Sequence, residues 1–322
     1  MHCARLSHFI RFNPDGTLSR CGHMVHAPKF LSIEELDNSA WLSEIKQSFT
    51  SDQWPPECIK CKITEEVNQT SIRLNANNFH RLQKKSDYLC VGGVLDNTCN
   101  SACQFCNENF STKIGSLKDK KYIKINNTKS FWKLPLERIV HLDINGGEPS
   151  ASNNYKNVLR NLPDNIKSIR INTNCSLIIK EIQHVLDKGV KVTITVSFDG
   201  VGKIHDYVRW PINYNKFIEN LFFYKEMPVD LNLWTTVNAL NIGNFYEIQK
   251  FASDNNFNHA WAFLELPDVL HVKHKNFLTL SNKVLPQFSK HVAIANDNTK
   301  ELLQFLQEQD SLRNINYKRY LF

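Results

Sequence analysis

From about residue 88 the chain alternates short apolar runs with amphipathic stretches of helical period. The apolar runs cover 88–95, 138–144, 167–172, 190–198, 230–237 and 259–264. Helical spacing of apolar positions marks 155–162, 178–188, 214–225 and 245–253 between them. Strand-length runs alternating with helices predict βα units around a parallel sheet, open or closing toward a barrel. Ligands in such sheets sit beyond the C-terminal ends of the strands. The first 80 residues have another rhythm. Ser7–Phe12 alternates in polarity, Asn13-Pro14-Asp15-Gly16 reads as a turn and Thr17–Arg20 follows, which predicts a β-hairpin. Ser32-Ile33-Glu34-Glu35 is a capping box, and apolar spacing continues the helix to Phe49 before Trp54-Pro55-Pro56 breaks it. Residues 276–322 read as two or three helices with a basic tail at Lys318-Arg319-Tyr320. The expected organisation is a small α+β unit over 1–80, a βα unit over 81–270 and a helical extension over 271–322.

At 322 residues the chain is long enough to bury a core without metal or disulfide staples. Its 42% hydrophobic and 22% charged residues exclude disordered and collagen-like classes. No apolar run approaches the roughly 20 residues of a membrane span. The first residues carry no signal-peptide core, so a cytoplasmic location without membrane partners is expected. The net charge of +7 tolerates an anionic partner without requiring one.

Nine cysteines change the picture. In a reducing compartment, clustered thiols more often hold metal than pair as disulfides. Cys99-Asn100-Ser101-Ala102-Cys103-Gln104-Phe105-Cys106 sets three thiols on a loop after the first strand of the βα unit. Soft thiolates favour zinc or iron–sulfur clusters. Three of them on a four-iron cubane leave one iron open, as chemistry on a bound ligand requires. A zinc knuckle completed by a distant fourth ligand is the alternative. Further motifs fall at successive strand ends: Asn145-Gly146-Gly147-Glu148-Pro149, Ile171-Asn172-Thr173-Asn174, Val196-Ser197-Phe198-Asp199-Gly200, Val208-Arg209 and Thr236-Val237-Asn238.

Taken in that order over about residues 88–265, these motifs resemble the radical S-adenosylmethionine (radical SAM) superfamily. The resemblance implies an α/β fold with a partial (β/α)6 TIM-like barrel. Cys99, Cys103 and Cys106 would hold a [4Fe–4S] cluster whose open iron binds S-adenosylmethionine. Its reductive cleavage would give a 5′-deoxyadenosyl radical that takes a hydrogen atom from the substrate. The residue types suit the cofactor. Gly146 and Gly147, before Pro149, allow close backbone approach. Glu148 suits an ammonium group, and Arg209 can clamp a carboxylate. Ser197 and Asp199 are two apart and suit ribose hydroxyls. Phe105 suits the adenine, and Asn174 and Asn238 complete the expected cofactor contacts.

Cys3, Cys21, Cys58 and Cys61 form a second group. Twelve residues separate Cys3 from Gly16, four separate Gly16 from Cys21, and two separate Cys58 from Cys61. Spacing alone equally suits a zinc ribbon. It also resembles the auxiliary-cluster motif of the SPASM/twitch branch, here preceding the barrel as in phage-type twitch-domain radical SAM proteins. That resemblance implies one auxiliary [4Fe–4S] cluster, used for electron transfer or for structure. It also implies a peptide or protein substrate and an external one-electron reductant of flavodoxin or ferredoxin type. A nucleotide, tRNA base or small metabolite is the second substrate class, although no nucleic-acid module is recognisable. A zinc-stapled binding module and an iron–sulfur redox sensor are the non-enzyme alternatives.

The remaining candidates are minor. Cys90 is expected to be a small buried hydrophobe. Cys175, near the expected barrel mouth, is a candidate hydrogen-atom donor against the alternative of an inert thiol. His23 and His26 flank Cys21 as substitute ligands. Trp210, Trp234 and Trp261 are expected in the core or stacked on a substrate.

Overall fold

The structure, a computed structural model, describes residues 1–119, 122, 124–276, 278–279 and 296–322. Its centre is one eight-stranded sheet: β1 (Phe9–Phe12), β2 (Leu18–Ser19), β3 (Leu89–Val94), β4 (Ile139–Asn145), β5 (Ser168–Thr173), β6 (Lys191–Ser197), β7 (Asp230–Val237) and β8 (Asn258–Phe263). The spatial order is β2-β1-β3-β4-β5-β6-β7-β8, and every pairing except β1–β2 is parallel. The six strand-type runs after residue 88 thus appear as β3–β8 in sequential order, with helices between most neighbours.

One face of the sheet is apolar and covered by helices. Leu142, Ile144, Ile169, Ile171, Ile194 and Val196 are buried there against the helices Asn153–Arg160, Glu181–Asp187 and Tyr214–Lys225. Strand alternation turns His141, Asp143, Asn145, Arg170, Asn172, Thr193, Thr195 and Ser197 to the other face, which is therefore polar. Helices confined to one face are the arrangement of a barrel wall. A polar opposite face leaves room for ligand instead of packing.

The N-terminal hairpin continues this sheet. β1 pairs in parallel with β3, with Phe9 opposite Cys90 and Phe12 opposite Gly93. Residues Arg5–His8 form a helical turn, so the strand begins at Phe9 and not at the expected Ser7. The expected single helix over 33–49 is two, Ile33–Asp37 and Ala40–Thr50. The reason is a second cap. Ser32 Oγ accepts from the Glu35 amide, and Ser39 Oγ accepts from the Leu42 amide and restarts the helix. Two helices not read from the sequence follow, Ile59–Asn68 and Ile72–Arg81. Lys60, on the first, pairs with Glu265 beyond β8 at 2.9 Å.

The helix Thr299–Arg313 buries Leu302 and Leu306 against Tyr207 and Val208. It lies within the 271–322 segment expected to be helical; residues 280–295 lie outside the described residues. No described helix is long and apolar enough to cross a membrane.

Two predictions follow from this packing. Gly93 has a φ of +94°, and a Cβ there would run into the Phe12 carbonyl across the β1–β3 seam. Gly93→Ala is expected to cost about 2–4 kcal/mol, read from the denaturant midpoint; an unchanged midpoint would show that the seam does not constrain the fold. His205 is fully buried among Phe198, Tyr214 and Phe217, and burial lowers its pKa to about 3. The unfolded chain therefore binds more protons, and stability should fall as pH drops from about 6.5 toward 3. His205→Leu should flatten that dependence in thermal melts between pH 7 and 4.

Candidate functional site

The loop after β3 is held by bonds from four separate parts of the chain. Thr98 O accepts from the Glu148 amide at 2.7 Å, and the Cys99 amide donates to Thr112 Oγ1 at 3.1 Å. The Ala102 and Gln104 amides donate to the carbonyls of Trp210 and Val208 at 2.7 and 3.0 Å. From the far end of the chain, buried Arg313 donates through Nε to Ala102 O at 2.8 Å and through Nη2 to Cys103 O at 3.2 Å. A loop tied at so many points presents its side chains in a fixed direction.

Cys99, Cys103 and Cys106 all line one cavity of about 460 Å³. Phe105, Gly146, Gly147, Glu148, Asn174, Ser197 and Arg209 line it too. These ten candidates come from four strand ends and the Arg209 turn, and the parallel sheet brings them together. Burial pushes the Cys99 thiol up, with Cys103 beside it adding to the shift. Burial and Cys103 likewise push Cys106 up to about 12. Such thiols ionise readily only with a cation beside them.

Glu148 is 1% exposed and its carboxyl pKa is raised, chiefly by burial. Its Oε1 accepts from the Ser150 amide and Oγ and from Thr173 Oγ1, at 2.7–3.0 Å. Its Oε2 accepts only from the Asn174 amide, at 2.6 Å. These four donors, three on Oε1 and one on Oε2, match the capacity of about four that a carboxylate has. Gly147 has a φ of +56°, and a Cβ would stand 2.6 Å from Thr98 O. This glycine therefore admits the approach of the cysteine loop itself, as well as lining the cavity. The Asn174 amide nitrogen bridges to Asn100 Oδ1 and Ser101 Oγ at 3.0 and 2.7 Å, joining the end of β5 to the same loop.

Four candidates lie elsewhere. Asp199 is fully buried and does not line the cavity. Its Oδ2 pairs with Arg209 Nε and Nη2, and its Oδ1 accepts from the Thr236 amide at 2.7 Å. Strand alternation stops at Ser197, where β6 ends, so Ser197 and Asp199 do not share a face. Asp199 holds Arg209 instead of reaching a ribose. Arg209 is correspondingly committed. Two of its nitrogens are on Asp199, Nη1 stands 3.6 Å from Cys103 Sγ, and Cζ lies 5.3 Å from the centre of the Phe105 ring. Burial alone would lower its pKa, but Asp199 and Cys103 raise it, so the guanidinium places a fixed positive charge beside the thiols. With Nε and Nη2 held by Asp199, Nη1 is the nitrogen turned to Cys103.

Asn238 is buried in the turn after β7, where its Oδ1 accepts from the Leu240 amide at 2.9 Å. Pro149 is buried at the start of a helical turn. Cys175 is fully buried in the main apolar core, with Phe217 O 4.0 Å from its Sγ. It does not line the cavity. Cys90 is buried beside Phe9 and Tyr88, as expected. Trp261 packs on Phe245, whereas Trp234 is 38% exposed on the polar face.

Cys3, Cys21, Cys58 and Cys61 converge on a second, smaller cavity, together with His23. Burial, reinforced by neighbouring thiols, raises Cys58 to about 12 and, with Cys21 adding, Cys3 to about 11. Among the described residues no three His, Cys, Asp or Glu side chains form a group that could hold a metal ion. In each cavity the thiols stand along the walls instead.

Arg313 was not legible in the sequence, because a contact 210 positions away leaves no local pattern. Its removal generates a prediction. Arg313→Met takes two charge-assisted bonds from the loop, and alkylation of Cys103 should quicken about tenfold or more. Mass spectrometry of iodoacetamide-labelled protein reads this, and an unchanged rate would mean the loop is held without it.

No family model matches the sequence, and no curated protein does. Among solved structures, the chain is similar to anSMEcpe with bound AdoMet, with a TM-score of 0.44 and 16% identity over 70% of this chain and 63% of that one. A tagged form of the same protein with bound AdoMet matches over 54% of this chain and 51% of that one, with a TM-score of 0.42 and 18% identity. SuiB of Streptococcus suis bound to precursor peptide SuiA matches with a TM-score of 0.43 and 16% identity, over 98% of this chain and 71% of that one. Likeness at this level assigns nothing to the chain.

Proposed function

We propose that this chain is a radical S-adenosylmethionine enzyme. Cys99, Cys103 and Cys106 would hold a [4Fe–4S] cluster, and the other end of the same cavity would hold the cofactor. One observation carries the reading. Three desolvated thiols open on a single cavity whose only other Cys, His, Asp or Glu lining residue, among the described residues, is Glu148. Four donors from Ser150, Thr173 and Asn174 already occupy that carboxylate. A mononuclear zinc site would need a fourth ligand, whereas a cubane on three thiolates leaves one iron for S-adenosylmethionine. When bound, cluster and cofactor together supply the electron transfer that cleaves the sulfonium C–S bond and yields a 5′-deoxyadenosyl radical.

The chain's own residues supply position and charge. Arg209, backed by Asp199, offsets the negative charge of the thiolate at Cys103. Glu148 places a carboxyl on the cavity wall, where its charge would suit an ammonium group. Ser197 and Asn174 offer neutral hydrogen-bonding groups at adjacent strand ends. Phe105 offers an aromatic face. Cys3, Cys21, Cys58 and Cys61 form a complete thiolate set for one auxiliary [4Fe–4S] cluster, with no position left for substrate. A peptide or protein substrate fits the polar strand face beside the cavity, where Trp234 is exposed. The reaction also requires an external one-electron donor of flavodoxin or ferredoxin type.

The test is anaerobic reconstitution. Wild-type protein should turn brown, bind about eight irons per chain and release 5′-deoxyadenosine from S-adenosylmethionine with a strong reductant. A Cys99/Cys103/Cys106→Ala variant should keep about half the iron and release none. Cys58→Ala with Cys61→Ala should lose the other half and still cleave the cofactor. Colourless protein carrying zinc, or brown protein inert toward S-adenosylmethionine, would overturn the reading.

A further inference from the structure

A second open cleft, of about 240 Å³, lies where the helical turn Arg5–His8 and the helix Ile72–Arg81 cover the polar face of β3, β4 and β5. It shares no lining residue with the larger cavity. We infer that this cleft is a binding site for a carboxylate carried on a short apolar stem, with Arg5 as its anchor.

Arg5 has no ion-pair partner among the described residues, and its Nε is buried without a hydrogen bond. Its Cζ lies 3.5 Å from the centre of the Phe9 ring, so one face of the guanidinium is already covered and its edge remains for a ligand. The other charged groups cancel. Arg170 grips Asp143 through Nε and Nη2. His8 and His141 are held neutral by burial, His141 with a pKa of about 4. One positive charge is left over, in a cleft walled on one side by Ile72, Ala76 and Phe79. An uncompensated, partly desolvated guanidinium recruits an acceptor that can take two parallel N–H bonds, and a carboxylate is the natural match. The apolar wall sets the preference for a short hydrocarbon stem over a bare inorganic anion.

Arg5 also borders the pocket of Cys3, Cys21, Cys58 and Cys61. Acting solely as counter-charge to those thiolates is the rival role, and the test separates the two. Saturation-transfer NMR would be run on the full chain as purified, with propionate or its uncharged isostere propionamide at constant ionic strength. Propionate should bind saturably and propionamide at least tenfold more weakly. Arg5→Met should reduce propionate to the level of the amide. Ala76→Phe, which fills the cleft by bulk and keeps Arg5, should also abolish binding, and it covers the case that Arg5→Met fails to fold. A capped tripeptide with a central Glu separates the sources. Tighter binding than propionate places the carboxylate on a peptide, and weaker or equal binding places it on a small free acid. Equal binding of propionate and propionamide, or a propionate affinity untouched by both variants, would overturn the inference and confine Arg5 to the rival role. The measurement needs neither cluster nor S-adenosylmethionine, so its outcome is independent of the function proposed above.

Discussion

Burying a thiolate is unfavourable unless something positive joins it, and the structure around residues 99–106 is organised by that constraint. The loop is tied to the turn before Glu148, to the 207–210 segment and to Arg313 in the C-terminal helix. Each tie uses backbone carbonyls or amides, and the sulfur atoms themselves receive the Ser101 amide at Cys99 and Arg209 Nη1 at Cys103. Arg209 in turn is fixed by Asp199, itself fully buried. The result is a rigid, desolvated thiol site with one cationic side chain at its rim.

The same economy of contacts links the two cysteine groups. Because β1 joins β3 in parallel, the segment carrying Cys3 and Cys21 lies along the edge of the strand that leads to Cys99. The helix that carries Cys61 reaches the other end of the sheet through Lys60 and Glu265. That exposed pair contributes little energy, but it shows that the N-terminal residues lie along both ends of the β3–β8 array. The carboxylate cleft proposed above sits between the second cysteine group and the polar strand face, with Arg5 common to both.

Several roles changed once side chains had neighbours. Asp199 and Ser197 look equivalent in a strand pattern, yet one anchors Arg209 inside the protein and the other lines the cavity. Gly147 looks like a ligand-binding glycine, yet its missing Cβ admits the Thr98 carbonyl. Cys175 looks accessible at a strand end, yet Phe217 and the core enclose it. In each case the residue type was informative, and the identity of its partner was not.

The alternation of strands and helices after residue 88 was legible because burying one face of a parallel sheet forces local periodicity, and periodicity is written in the chain itself. The three-thiol loop and the strand-end motifs were legible for a similar reason, since the residues that line that cavity lie close in sequence or at regular strand ends. The break at Ser39, the seam between β1 and β3, the commitment of Asp199 to Arg209 and the reach of Arg313 to the cysteine loop were decided only in three dimensions. They depend on which hydrogen-bonding groups burial deprives of water, and that follows from packing between distant segments, not from any local run of residues.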